Sequence, residues 1–153
     1  MTINYKKGDI TTCTELLIAH GCNAQGKMAS GVAKALREKF PSLTWDVYKK
    51  QYDINNSLEV GEVIIGECTD KVIFNCITQK FYGYDGKVYV DYDAIRSSFY
   101  FIDNWEWNEI DRITPYDLAI PKIGAGLAGG SWEVISSIIK DTVKNRNVIV
   151  YTL

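Results

Sequence analysis

Apolar and polar positions fall into short blocks with two periods. Residues 2–6 alternate weakly and read as a strand. Residues 15–20 (ELLIAH) are mostly apolar and stop at Gly21, which predicts a buried strand. Residues 21–30 are small and polar and read as a loop. Within 31–40, Val32, Ala35, Leu36 and Phe40 recur at helical spacing before Pro41 closes the run. Residues 43–52 predict a weaker second helix. Residues 60–68 and 72–79 are β-branched runs separated by Thr69-Asp70-Lys71, the pattern of a hairpin. Residues 81–90 carry Gly83, Asp85 and Gly86 and read as a loop. Asp91 can cap a long helix with the apolar stripe Ile95, Phe99, Ile102, Trp105. Residues 118–123 predict a strand despite Pro121, running into a glycine-rich turn. Ser131 can cap a last helix with the face Ile135, Ile138, Ile139, Thr142, and residues 147–153 predict a closing buried strand. Pro41, Pro115 and Pro121 each fall near an element boundary. Strands alternating with helices predict α/β layers around a mixed sheet.

Composition narrows this to one globular domain over residues 1–153. The chain is 46% hydrophobic and 24% charged, with no internal repeat, low-complexity tract or linker. A chain of this length buries roughly 68–70% of its unfolded surface, so folding requires neither metal nor disulfide. Seventeen basic against nineteen acidic residues give a net charge of −2, which argues against bulk capture of nucleic acid or anionic membrane. The expected partner is a small molecule, and the expected state is a monomer. No apolar run approaches the ~20 residues of a spanning helix. Residues 1–9 read as a strand and not as a secretion signal, which predicts a cytoplasmic protein. There Cys13, Cys22, Cys68 and Cys76 stay reduced as core filler. They form no C-x-x-C pair, and with a single histidine a zinc site is all but excluded. No cofactor is expected. The wealth of Asn and Tyr hints at an AT-rich genome such as a virus carries.

The chemical signal lies in two segments of one design, each a buried strand, a small-residue loop and a helix. The first runs from His20 through Gly21, Cys22, Asn23 and Gly26 to Ser30, Gly31 and Val32. The second runs from Pro121 through Gly124, Ala125, Gly126, Leu127 and Ala128 to Ser131. Glycine and alanine let a ligand approach the backbone, successive N–H groups converge, and a helix N-terminus adds about half a positive charge. Two such loops suit two linked phosphates. Gly124, Gly126 and Gly129 satisfy G-x-G-x-x-G, yet they sit in the last strand–helix–strand unit and no acid follows in the closing strand. A dinucleotide-binding Rossmann unit is therefore rejected. A P-loop motif is absent.

The segment Tyr5-Lys6-Lys7-Gly8-Asp9-Ile10, the run His20-x-Cys22-Asn23-x-x-Gly26 with Gly31-Val32-Ala33, the pair Ile77-Thr78, the second glycine loop with Trp132, and the ending Val150-Tyr151-Thr152-Leu153 together resemble a macrodomain. This is the three-layer α/β/α module with a central mixed sheet that binds ADP-ribose. The likeness spans essentially the whole chain and is strongest to the yeast-type ADP-ribose-1''-phosphate phosphatase and terminal ADP-ribose glycohydrolase groups.

The resemblance implies site roles. Asp9 accepts from the adenine amino group, with Ile10 beside it and Tyr151 near the base. Asn23 holds the distal ribose. Gly21, Cys22, Ser30, Gly31, Val32, Thr78 and Gln79 belong to the substrate site, and Gly124, Ala125, Gly126, Leu127 and Ala128 wrap the diphosphate. His20 matches a histidine of the phosphatase-like group. It is expected at the lip of the first loop as general base or acid, with Asn23 as its catalytic companion. Cys22 is weighed as a nucleophile and set aside as filler. Two positions depart from the glycohydrolase pattern: Gln79 replaces a lysine and Ala128 an aspartate. Lys80, one residue along, points to the other face if the strand continues. No aromatic follows the glycine pair, so the distal pocket is either roomier or closed by Phe81, Tyr82 or Tyr84. The implied activity is metal-independent hydrolysis of ADP-ribose-1''-phosphate to ADP-ribose and phosphate. The alternatives are a non-catalytic ADP-ribose binder and a hydrolase of ADP-ribose on protein or nucleic acid.

Overall fold

The computed structural model describes residues 1–106 and 116–153. Pro115 lies outside the described residues. Among those described, six strands form one sheet: β1 (Ile3–Lys7), β2 (Leu17–Asn23), β3 (Val63–Cys68), β4 (Lys71–Gln79), β5 (Leu118–Ile120) and β6 (Val148–Thr152). Their order is β1-β6-β5-β2-β4-β3, and every pair is parallel except the β3–β4 hairpin. The helices are α1 (Gly31–Lys39), α2 (Trp45–Asn55), α3 (Tyr92–Asn104) and α4 (Trp132–Thr142).

Strand alternation sorts the core into two faces. On one, Leu17, Ala19, Phe74, Cys76, Ile120 and Val150 meet Ile95 and Phe99 of α3 and Ile135 and Ile139 of α4. On the other, Ile18, Ile73 and Ala119 meet Leu36 of α1 and Leu43, while Cys22, Ile64 and Ile77 meet Tyr48 of α2. The result is three layers, α/β/α, around a mixed sheet. A sheet covered on both faces explains why its parallel strands read as apolar runs.

Several boundaries differ from the sequence pattern, each for a local reason. β2 does not stop at Gly21. It continues to Asn23, because β4 offers partners in register, Gly21 opposite Cys76 and Cys22 opposite Ile77. β5 ends at Ile120, since Pro121 has no N–H to give the ladder. A 3-10 turn over Pro41–Leu43 precedes α2, which begins at Trp45. α3 ends at Asn104, and Trp105 instead packs edge-on against Phe74 with ring centroids 5.2 Å apart. Asp91 and Ser131 cap α3 and α4 as expected, accepting from Ala94 N–H and Val134 N–H.

β2 and β5 are parallel neighbours. The chain therefore leaves both at the same edge of the sheet, and the β2–α1 and β5–α4 loops emerge side by side. Crevices of this kind, outside the carboxyl ends of parallel strands, are where α/β sheets bind ligands.

Candidate functional site

The two glycine loops line one cleft of about 310 Å³. Its walls include Gly21, Cys22, Asn23, Ser30, Gly31 and Val32 from the first segment. Gly124, Gly126, Leu127 and Ala128 come from the second, with Thr78 and Gln79 from the end of β4. The segment between β4 and α3 adds Tyr82, Gly83 and Tyr84. Among the described residues, Lys27 and Lys122 are the charged side chains of this lining, and no carboxylate belongs to it. A chain of net charge −2 thus presents a cleft whose side-chain charge is positive.

The backbone of the cleft is short of acceptors. In the second loop Ala125 N–H donates to Lys122, Gly129 to Gly126 and Gly130 to Gly124. Among the described residues nothing accepts from the N–H groups of Gly124, Gly126, Leu127 and Ala128. At the start of α1 the Ser30 hydroxyl makes no capping bond, so Gly31, Val32 and Ala33 keep free first-turn donors. α3 and α4, by contrast, are capped by side chains. Two rows of free donors, one on a helix N-terminus, are a binding device for an anion with several oxygens.

The glycines divide into two kinds. Gly31 has φ +61° and open space where a side chain would stand, and Gly126 also faces open space. A Cβ on Gly124 would instead lie 2.8 Å from Val90 and 3.0 Å from Ile135, at φ +77°. Gly124 therefore serves the packing of the loop on the segment before α3, while Gly31 and Gly126 leave their peptide groups accessible.

The first loop is held from below by Tyr48, which is fully buried on α2. Its hydroxyl accepts from Gly26 N–H and Lys27 N–H at 3.0 and 3.2 Å and donates to Asn23 O at 2.7 Å. Asn23 is itself part of this scaffold, with Oδ1 accepting from Gln25 N–H and Nδ2 donating to Lys27 O. One Nδ2 hydrogen is left for a ligand. Sequence reasoning missed Tyr48, Lys27 and Lys122. The lysines were visible inside the two loops, whereas a tyrosine on a distant helix gave no signal.

His20 is not where the sequence placed it. It is fully buried and absent from the cleft wall, on the strand face that packs under the α1–α2 layer. Its Nε2 lies 2.6 Å from Asn75 Oδ1. Asn75 spends its amide hydrogens on Leu43 O and Ile64 O, so Oδ1 must accept and His20 Nε2 must carry the proton. Burial pulls the His20 pKa down to about 4, partly opposed by the Asn75 bond. A neutral imidazole closed off from solvent cannot exchange protons with a substrate, and the lip position is corrected accordingly.

Cys22 Sγ is 3.9 and 3.8 Å from the two ring nitrogens of His20. The near-equal distances leave the sulfur out of line with the Nδ1 lone pair. Burial raises the thiol well above its usual pKa, so it stays protonated.

The remaining expected site residues divide by position. Asp9, Ile10, Ala125 and Tyr151 do not line the cleft. Ile10 and Tyr151 share a core cluster with Val32, which does, so that cluster abuts the cleft wall. Asp9 caps the turn over Ile10–Thr12, with Oδ1 accepting from Thr11 N–H and Oγ1, and these bonds lower its pKa. Tyr151 donates its hydroxyl to Glu15. Gln79 Nε2 donates to Phe81 O at 2.8 Å. Lys80 lies over the Phe81 ring, outside the cleft wall. Thr78 Oγ1 is buried without a hydrogen-bond partner among the described residues.

Comparison with known proteins agrees with the architecture. No family model matches the chain. An uncharacterised 17.5 kDa protein of Enterobacteria phage T4 is 31% identical, over 98% of this chain and 95% of its own. An ADP-ribose 1''-phosphate phosphatase of Candida glabrata is 26% identical, over 99% and 98%. An ADP-ribose glycohydrolase of Bos taurus is 27% identical, over 99% and 91%. A solved macrodomain protein of Streptomyces coelicolor superposes with a TM-score of 0.75 at 24% identity, over 99% of each chain. The chain has the macrodomain fold. Characterised relatives within this similarity hydrolyse derivatives of ADP-ribose.

Proposed function

We propose that the cleft binds ADP-ribose compounds by their diphosphate and that the protein hydrolyses ADP-ribose-1''-phosphate to ADP-ribose and phosphate. One observation carries the reading: free donors at Gly31–Ala33 and at Gly124, Gly126, Leu127 and Ala128 open onto a single cleft that, among the described residues, no carboxylate lines. A diphosphate satisfies both rows at once, and Lys27 and Lys122 add charge at the rim. The adenosine runs toward Val32, Ile10 and Tyr151, where Asp9 Oδ2 is free to accept from the adenine amino group. Asn23 offers its spare Nδ2 hydrogen to the distal ribose.

The phosphatase half is supported by fungal relatives that carry that name. Water bonds to phosphorus as the bond to the ribose 1''-oxygen breaks, and the proton passes from the water to that oxygen. Because His20 does not reach the cleft, the proton moves through the substrate's own phosphate, and the protein contributes orientation. A second reading, binding without turnover, is favoured by one feature: among the described residues no imidazole or carboxylate lines the cleft to move a proton.

Calorimetry with ADP-ribose followed by a phosphate-release assay with ADP-ribose-1''-phosphate tests both. Binding with phosphate release supports the full proposal. Binding without release selects the second reading, and absence of binding to either nucleotide ends both.

A further inference from the structure

The strand order β1-β6-β5-β2-β4-β3 gives the cleft a direction, since the two glycine loops leave β5 and β2. A nucleotide with its adenosine toward β6 and β1 and its diphosphate between the loops carries its far sugar toward β4, one strand spacing of about 4.8 Å beyond β2. Gln79 closes β4. It lies opposite Asn23 in register, is half-buried and lines the cleft. A bridge to Val90 also holds its backbone. Among the described residues, Asn23 and Gln79 are the side-chain amides of the lining, and their carbonyl oxygens differ. Asn23 Oδ1 already accepts from Gln25 N–H. Gln79 Nε2 donates to Phe81 O at 2.8 Å, which sets the way the amide faces, and among the described residues no hydrogen bond reaches its Oε1.

The loops present N–H groups, and the charged side chains of the lining are lysines. Donors engage the lone pairs of a water molecule and so turn the nucleophile away from phosphorus. Attack needs the opposite arrangement, with the hydrogens on acceptors and a lone pair free. We propose that Gln79 is the positioning residue for the attacking water: its Oε1, held in direction by the bond from Nε2 to Phe81 O, accepts one hydrogen of that water. The second hydrogen lies on the substrate's phosphate. The water lone pair forms the new bond to phosphorus, the bond from phosphorus to the ribose 1''-oxygen breaks with its electron pair left on that oxygen, and the proton taken by the phosphate passes to it. Gln79 stays neutral throughout. The inference rests on the proposed hydrolysis of ADP-ribose-1''-phosphate and supplies the orienting group that this reaction requires of the protein.

Phosphate release from ADP-ribose-1''-phosphate by the full chain, measured beside calorimetry with ADP-ribose, tests the role. Gln79→Met keeps the length of the side chain and removes the oxygen. Its kcat is expected to fall about a hundredfold, while KM and the Kd for ADP-ribose stay within about twofold of wild type. Gln79→Asn stays polar but withdraws the oxygen by roughly 1 Å, and a fall in kcat of similar size is expected. Thermal melting checks that both variants keep the fold. The inference is overturned if either variant turns over at the wild-type kcat. It is equally overturned if the loss falls on KM and on ADP-ribose affinity together, which would make Gln79 a holder of the sugar. A wild-type protein that binds ADP-ribose and releases no phosphate removes the hydrolysis, and this inference with it, while the diphosphate site stands. A wild-type protein that binds neither nucleotide removes that site as well.

Discussion

His20 and Asn75 share a hydrogen bond of 2.6 Å beneath the cleft floor, joining β2 to β4 at the residues directly opposite in register. Asn75 also ties β3 and the chain before α2 through Ile64 O and Leu43 O. The unit fastens the strand end from which the first glycine loop departs.

Its neutrality at ordinary pH makes a stability prediction. The folded pKa of about 4 lies below the 6.5 of an ordinary imidazole, so the unfolded chain binds the proton more readily. The contribution of His20 is complete above pH 6.5 and is lost as pH falls toward 4. For this residue alone the loss between pH 7.5 and pH 5 is about 2 kcal/mol. Denaturant unfolding of wild type and His20→Gln at both pH values isolates that amount, and an NMR titration of the His20 ring is expected to centre near 4. A midpoint above 6 would show an imidazole open to solvent.

Tyr48 predicts a link between the helix layer and the ligand. Tyr48→Phe leaves Gly26 N–H and Lys27 N–H without their acceptor and Asn23 O without a donor. Buried donors left unpaired cost about 1–3 kcal/mol. The variant is expected to lose stability in that range in urea and to bind ADP-ribose more weakly. Wild-type behaviour in both measurements would show that water replaces the hydroxyl.

The glycines of the second loop separate packing from binding. Gly126→Ala meets no neighbour, so its folding stability is expected to stay within about 0.5 kcal/mol of wild type. The new methyl nonetheless enters the cleft, and ADP-ribose affinity should drop about tenfold, near the cost of one displaced contact pair. Gly124→Ala has the reverse profile. Its Cβ crowds Val90 and Ile135 at a positive φ, and about 1–3 kcal/mol of stability is lost. Paired unfolding and calorimetric measurements check the contrast.

Much of this architecture is legible in the sequence because it rests on local rules. The hairpin turn at Thr69-Asp70, the caps at Asp91 and Ser131 and the stop at Pro41 each act within a few residues. The cleft's two loops are legible for the same reason. What fails is anything set by a neighbour distant in sequence. Gly21 looks like the end of β2 until Cys76 is known to lie opposite. His20 sits in a strand buried on both faces, so no polar alternation says which way it points, and only Asn75 decides. The strand order likewise depends on contacts between remote segments.

Ala128 tests how far the glycohydrolase pattern can be restored. Its side chain is buried with Val90, Ile123 and Ile135, and its carbonyl receives two N–H groups from the segment before α3. An aspartate there would bring a carboxylate into an apolar cluster that offers it no partner. Ala128→Asp is therefore expected to lose about 3 kcal/mol. Gln79→Lys is a milder change: Gln79 is half-buried at the cleft, and a lysine nitrogen can take over the donation to Phe81 O. Its stability should stay within about 0.5 kcal/mol of wild type. Urea unfolding of the two single variants decides the matter. An Ala128→Asp protein as stable as wild type would mean that the loop turns residue 128 outward into the cleft, and the packing assigned to Val90 would then be wrong.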